Sequence, residues 1–308
     1  MGYTSQLWIK KYKPEADIKK IRKWIQQIIL LALVPPTIVF SVWIAPLKQV
    51  EIIYIPLLGA IAPLFGGMAA YVAAKLMKLN REKRGILTVS GIFTNMGSLG
   101  GLTAFMLLGE KGFALVAIYQ LFEKFIYFMI GFPVAKRHSS HKDDEADKKN
   151  ILIVVVKDPV IIMNITALIL GIILNFSGIV RPNFLGLFNA IVVPFFSLGL
   201  LTSIGLAMSF GSMHHHLKAA GVIIIIKSIL TPLLITGLGI LLGLGNFADG
   251  LGLKMVFILS AMPVGFLAVV PATLYDMEVD QANTCWLMST LSLVLVIPAL
   301  QFLLPYIG

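Results

Sequence analysis

The sequence predicts an all-α, polytopic membrane protein, and three observations carry the prediction. Of 308 residues, 58% are apolar and 13% charged, with a mean hydropathy of +0.90. Soluble domains carry roughly 25% charged residues, and a soluble core of this size cannot hide so much apolar surface. The apolar residues gather into nine stretches, each near the roughly 20 residues that a helix needs to cross a bilayer. None alternates with the two-residue period of an outer-membrane strand. The single Cys285 lies inside an apolar run, which excludes an internal disulfide and a Cys-based zinc site.

Taken in order, residues 1–23 form a basic cytoplasmic tail. Its first apolar run begins only at Trp24, after seven Lys/Arg, which is not the pattern of a signal peptide. Residues 8–23 read as an ordinary linker, or as a basic interfacial helix that dips Trp8 and Ile9 into the headgroups. Spans are expected over 24–46, 52–78, 85–109 and 113–134, making a first transmembrane unit of 24–134. Residues 135–158, with Lys136, Arg137, Asp143, Asp144, Glu145 and Lys148, read as a solvated cytoplasmic loop. Five further spans, 159–178, 183–210, 217–243, 250–275 and 282–304, make the second unit of 159–308. The short linkers argue for one compact bundle.

The formal charge of +10 would suggest a nucleic-acid partner in a soluble protein. Here 19 of the 25 Lys/Arg fall on one set of alternate loops. Four (Lys48, Lys111, Arg181 and Lys254) fall on the other, and Lys124 and Lys227 lie within spans. Basic residues concentrate on cytoplasmic loops. The tail, the central loop and 276–281 are therefore expected inside and the C-terminus outside, and the charge records orientation rather than a nucleic-acid partner. The expected partners are the lipid bilayer and a small solute. A homodimer is one arrangement that the sequence admits.

The two units resemble each other. Placing Thr94-Asn95-Met96-Gly97 over Met262-Pro263-Val264-Gly265 aligns two spans interrupted at mid-membrane, with Pro35-Pro36 then near Pro194 and Pro133 near Pro298. Span 159–178 has no partner in the first unit. Since 85–109 enters from inside and 250–275 from outside, the repeat is expected to be inverted, about an axis in the membrane plane. An interruption at this depth leaves backbone groups unpaired, which is tolerated only in a protein-lined cavity or around a ligand. The run Asn95-Met96-Gly97-Ser98-Leu99-Gly100-Gly101 and the pair Met262-Pro263 are such interruptions. Two crossing breaks present half-helix N-termini, which favour an anion. For either span alone, close packing of small residues would explain the glycines equally well.

At these residues the chain resembles the auxin efflux carrier family, which includes plant auxin carriers and bacterial organic-acid permeases. Phe93-Thr94-Asn95-Met96-Gly97-Ser98-Leu99-Gly100 is similar to the family's Phe-x-Asn-x-Gly-x-x-Gly signature. Ala261-Met262-Pro263-Val264, Tyr275-Asp276, Ser289-Thr290-Leu291-Ser292 and Pro298 resemble its closing motif at matching spacing, and Lys157-Asp158-Pro159 followed by Gly171 resembles its entry into the second repeat. The resemblance implies ten helices in two inverted five-helix repeats, with broken helices crossing beside the substrate site. It also implies an elevator-like or rocking alternating-access carrier for organic anions. The chain departs from the family in two places. Only Met1-Gly2-Tyr3 resembles the end of the family's opening helix, so the chain as given starts within that helix or lacks it. Leu102 stands where the family usually has proline after the first glycine pair, so the first crossover rests on glycine flexibility alone.

The candidate substrate-binding residues are Thr94, Asn95, Gly97, Ser98, Gly100, Ser260, Met262, Pro263 and Val264. Asn95 leads them, because its amide can donate to a carboxylate, and the resemblance implies the same role. Glu123 and Lys227 are ionisable residues within spans, where each needs a partner. Paired across the bundle, they would form a structural bridge or a proton-coupling element; alternatively Lys124 snorkels while Glu123 sits toward the outside. His214-His215-His216 reads as a solvated turn rather than a metal site. No hydrolase, metalloprotease or phosphate-loop signature occurs, so neither an enzyme nor a cofactor is expected. The leading expectation is a secondary carrier for small organic anions, coupled to a proton or sodium gradient. A sodium-coupled bile-acid-type symporter and a non-transporting scaffold or sensor stand as alternatives.

Overall fold

The computed structural model describes Tyr12 and residues 17–139, 157–206 and 213–307. Most of the basic tail, the charged stretch 140–156 and residues 207–212 lie outside the described residues, so the readings of Trp8 and Ile9 and of the central loop do too. The first crossing runs through α1 (Ile18–Ile28) and α2 (Val34–Val42), followed by α3 (Tyr54–Leu76) and α4 (Arg81–Ile92). After a break come α5 (Gly101–Tyr119), α6 (Glu123–Ile126) and α7 (Phe132–His138). Beyond residue 156 come α8 (Pro159–Phe176), α9 (Phe184–Gly205), α10 (Leu217–Ile225), α11 (Thr231–Leu241), α12 (Leu251–Ser260), α13 (Val269–Leu274), α14 (Val279–Leu291) and α15 (Leu293–Leu303).

Local sequence sets several of these starts. Asn80 Oδ1 accepts from Lys83 N at 2.8 Å to cap α4, and Asp158 Oδ1 accepts from Val160 N at 2.8 Å to cap α8, which opens on Pro159. Proline also shapes helix interiors. Wide turns at Ile29–Leu33, Tyr127–Gly131 and Ile226–Leu230 each end two residues before a proline: Pro35, Pro133 and Pro232. A proline cannot donate to the carbonyl four residues back and crowds it. The preceding N–H bonds five residues back instead: Val34 to Ile29 O, Phe132 to Tyr127 O, and Thr231 to Ile226 O.

Among the described residues, six helices are long and apolar enough to cross a membrane, and a seventh is counted if Val279–Leu291 and Leu293–Tyr306, bent by 42°, form one span. Not all nine apolar stretches become such helices: Leu251–Ser260, in stretch 250–275, is a shorter apolar helix. Stretches 85–109 and 250–275 are each broken in the middle. The 43-residue helical run Met96–His138 contains the second part of stretch 85–109 and all of 113–134, and its backbone turns at Gly109 (φ 67°, ψ −162°), the last residue of the first of these. A positive φ of this kind suits glycine and strains other residues.

The helices pack as two groups. Helix α2 packs on α8 and α9, and this group meets the remainder principally through α5 and the turn Met96–Gly100. Within the group, the Asn175 amide faces the carbonyl oxygens of Val42, Trp43 and Ala45 at 3.0, 2.9 and 2.8 Å, closing the end of α2. The remaining helices hold both interruptions at their centre, so the fold brings the two broken spans together.

Candidate functional site

The two interruptions meet as a miniature antiparallel ladder. Thr94 and Val264 form an isolated bridge. Asn95 N donates to Pro263 O at 2.9 Å, and Gly265 N donates to Phe93 O at 3.1 Å. Each broken strand thus satisfies orphan groups of the other, as backbone at membrane depth requires. Gly265 is needed for the approach, because a Cβ there would lie 2.9 Å from Thr94 O. On the second strand the Val264 N–H is taken by Ser289 Oγ at 3.1 Å, which gives a physical role to one serine of the closing motif.

Thr94 is served on three sides. Its N–H donates to the Tyr127 hydroxyl at 2.7 Å, its carbonyl accepts from that hydroxyl at 3.0 Å, and its own Oγ1 accepts from Lys227 Nζ at 2.6 Å. Tyr127 is held by stacking on Phe93, with ring centroids 4.2 Å apart. Gly131 makes room for that ring, since a Cβ there would lie 2.3 Å from it. Both partners of Thr94 come from proline-induced wide turns, Tyr127 from Tyr127–Gly131 and Lys227 from Ile226–Leu230.

Asn95 is buried at the mouth of the break. Its Oδ1 accepts from Ser98 Oγ at 2.6 Å and from Leu99 N at 3.4 Å, capping the turn Met96–Gly100. The carbonyl side of the amide is thereby committed, and the NH2 side has no hydrogen bond among the described residues. The side-chain cap also answers the missing proline at Leu102: Asn95, and not glycine flexibility alone, fixes the first crossover. Gly97 is exposed between buried neighbours, and a Cβ there would approach only Gln120 Oε1, at 3.9 Å. Gln120 therefore borders the opening, although no feature of the sequence marked it. Gly100 has the opposite surroundings, because a Cβ there would sit 2.8 Å from Leu259 and 3.2 Å from Met262. It serves the tight crossing of the two spans. Met262 and Pro263 are buried within that crossing, and Ser260 Oγ donates to Phe257 O at 3.0 Å within its own helix.

Glu123 and Lys227 belong to the same cluster without bonding directly. Glu123 is buried, and its carboxylate pairs with the neighbouring Lys124 at 3.3 Å. That adjacent pairing is open because the chain is non-helical just before Glu123. Glu123 also lies close to the Tyr127 hydroxyl and to Lys227. Lys227 is 1% exposed, and its one hydrogen bond among the described residues goes to the neutral Thr94 hydroxyl. The three histidines are not uniformly solvated. His214 and His215 are exposed, whereas His216 is buried and lies 3.4 Å from Glu278, which also pairs with Lys83 at 3.4 Å.

One further charged pair had no sequence signal. Arg181 holds Glu110 with both terminal nitrogens, at 2.5 Å and 2.9 Å, and donates to Phe40 O at 2.9 Å. Asn189 adds a bond to the same carboxylate and another to Ser41 Oγ at 2.9 Å. The pair ties the turn after Gly109 to the group formed by α2, α8 and α9.

A helical bundle with two broken spans joined at their breaks, and polar groups gathered there, is the architecture of a multi-pass membrane transporter. Residues 1–301 match the family described as "Membrane transport protein", and the chain belongs to that family, the auxin efflux carrier family that its motifs resemble. An uncharacterized transporter of Methanothermobacter thermautotrophicus is 23% identical over 278 residues, covering 89% of this chain and 86% of that protein. Uncharacterized transporter MJ1031 of Methanocaldococcus jannaschii is 25% identical over 281 residues, covering 89% of this chain and 87% of that protein. The protein is thus an integral multi-pass membrane transporter and not an enzyme.

Proposed function

We propose that the chain is a secondary carrier that moves a small organic anion by alternating access through the crossing of 85–109 and 250–275. The observation that carries this reading is the polar capacity left unused beside the paired breaks. Among the described residues, the Asn95 NH2 has no hydrogen-bond partner, and the buried Lys227 amine is bonded to a neutral hydroxyl. An ammonium in a low-dielectric setting without a direct counter-ion is costly, and a bound carboxylate supplies part of the missing charge.

In this reading Asn95 donates to the carboxylate, Ser98 orients Asn95, and the opening at Gly97 and Gln120 admits the solute. Gly100, Met262, Pro263, Val264 and Ser260 keep the crossing tight. Glu123 is the proton-coupling element, acting on Lys227 through the shared Tyr127–Thr94 pair. Units 24–134 and 159–308 form the two inverted repeats. The tail 1–23, the loop 135–158 and the turn 276–281 face the cytoplasm, following the charge bias.

Thermal unfolding of the purified full-length protein against a panel of small carboxylates, with and without sodium, tests the proposal. Stabilisation by at least one carboxylate without sodium is expected. Stabilisation only with sodium favours the symporter, and none under either condition favours a scaffold. Replacing Glu123 by Gln should remove the pH dependence of transport; unchanged pH-driven uptake contradicts the coupling role.

A further inference from the structure

A second site lies away from the crossing, on the lipid-facing side of α3, α4 and α7. An open groove of about 400 Å³ is lined at its apolar end by Leu64, Met68, Ile130 and Val134, and at the other end by Tyr71, Thr88, Arg137 and His138. Leu64 and Tyr71 are seven residues apart on one helix, so the groove extends about 10 Å from its basic rim into the apolar zone. The rim is built around the Tyr71 ring. Lys75 Nζ and Arg84 Cζ each lie 6.0 Å from its centroid, and the His138 ring packs against it edge-on at 6.3 Å. Arg84 Nε is buried and has no hydrogen-bond partner among the described residues, whereas the neighbouring Lys83 is paired with Glu278 at 3.4 Å.

We propose that this groove binds one anionic phospholipid. An acyl chain lies along Leu64, Met68, Ile130 and Val134, and the phosphate sits in the field of Lys75, Arg84 and Arg137. The assignment rests on complementarity at both ends. The apolar floor suits a hydrocarbon chain, and the cationic rim, whose Arg137 lines the groove itself, suits a phosphate. Basic pockets between transmembrane helices recognise anionic headgroups in this way. The assignment is independent of the carrier reading and of which leaflet the rim faces.

Native mass spectrometry of the full-length protein, titrated with phosphatidylglycerol or phosphatidylcholine of the same acyl composition, tests it. Phosphatidylglycerol should be retained preferentially. The double variant Arg84→Gln/Arg137→Gln should weaken its retention by about fivefold per cation removed, while Lys254→Gln, in the first turn of α12 and away from the groove, leaves it unchanged. Equal retention of both lipids, or a double variant like the wild type, overturns the proposal. So does competition by inorganic phosphate as strong as by the lipid, which would make this a phosphate site. A second measurement leaves every cation in place. In Met68→Trp, the added tryptophan emission should be quenched at least twofold more by acyl-brominated phosphatidylglycerol than by brominated phosphatidylcholine, and equal quenching contradicts the assignment.

Discussion

Thr94 uses all three of its polar groups, and the consequences are specific to single atoms. Tyr127→Phe removes the one hydroxyl that serves both the Thr94 N–H and its carbonyl. Leaving buried groups unsatisfied costs about 1–3 kcal/mol, so the variant should unfold at a clearly lower temperature than wild type. Asn95→Ala removes a donor to a charged ligand, a bond worth about 1.5–3 kcal/mol. Ligand affinity should therefore fall by about tenfold or more, measured as the carboxylate concentration that half-stabilises the protein. Ser98→Ala frees Asn95 Oδ1 from its 2.6 Å bond and should weaken affinity less than Asn95→Ala, because Leu99 N still restrains the amide.

Between elements, the decisive contacts join segments far apart in sequence. Gly265→Ala would push a methyl to 2.9 Å from Thr94 O and force the breaks apart. Overpacking of this kind costs about 1–3 kcal/mol, and the expected signature is a lowered unfolding midpoint together with lost ligand stabilisation. Glu110→Ala strands Arg181, whose side chain is 12% exposed. Breaking a buried pair costs about 3–5 kcal/mol, and this slightly wetted pair should fall at the lower end, read as a drop in the unfolding midpoint. These elements also mark what the sequence could reveal. The two breaks and the reversal at Gly109 were legible, because glycine and proline punctuate apolar runs locally. The wide turns at Tyr127–Gly131 and Ile226–Leu230 were not, since a proline two residues beyond gives no periodic signal. The Thr94–Lys227 and Glu110–Arg181 bonds span 133 and 71 residues, and nothing in either local pattern names its partner. Gln120 is one polar residue near a helix end, indistinguishable from others until Gly97 is seen beside it.

For the whole molecule, composition fixed the environment and charge gave a direction. In a Cys285→Ser background, Lys254→Cys should be labelled from outside intact cells by an impermeant maleimide, and Lys78→Cys only after permeabilisation. The reverse pattern would invert the orientation. The central claim, that the joined breaks carry an organic anion, is tested most directly by counterflow in proteoliposomes. Wild-type protein preloaded with an unlabelled small carboxylate should accumulate the labelled compound without ATP. Asn95→Ala, assayed well below its own unfolding temperature because the lost cap destabilises the turn, should need about tenfold more substrate for the same rate. Absence of counterflow for every carboxylate, with and without sodium, or an Asn95→Ala protein indistinguishable from wild type, would contradict the account.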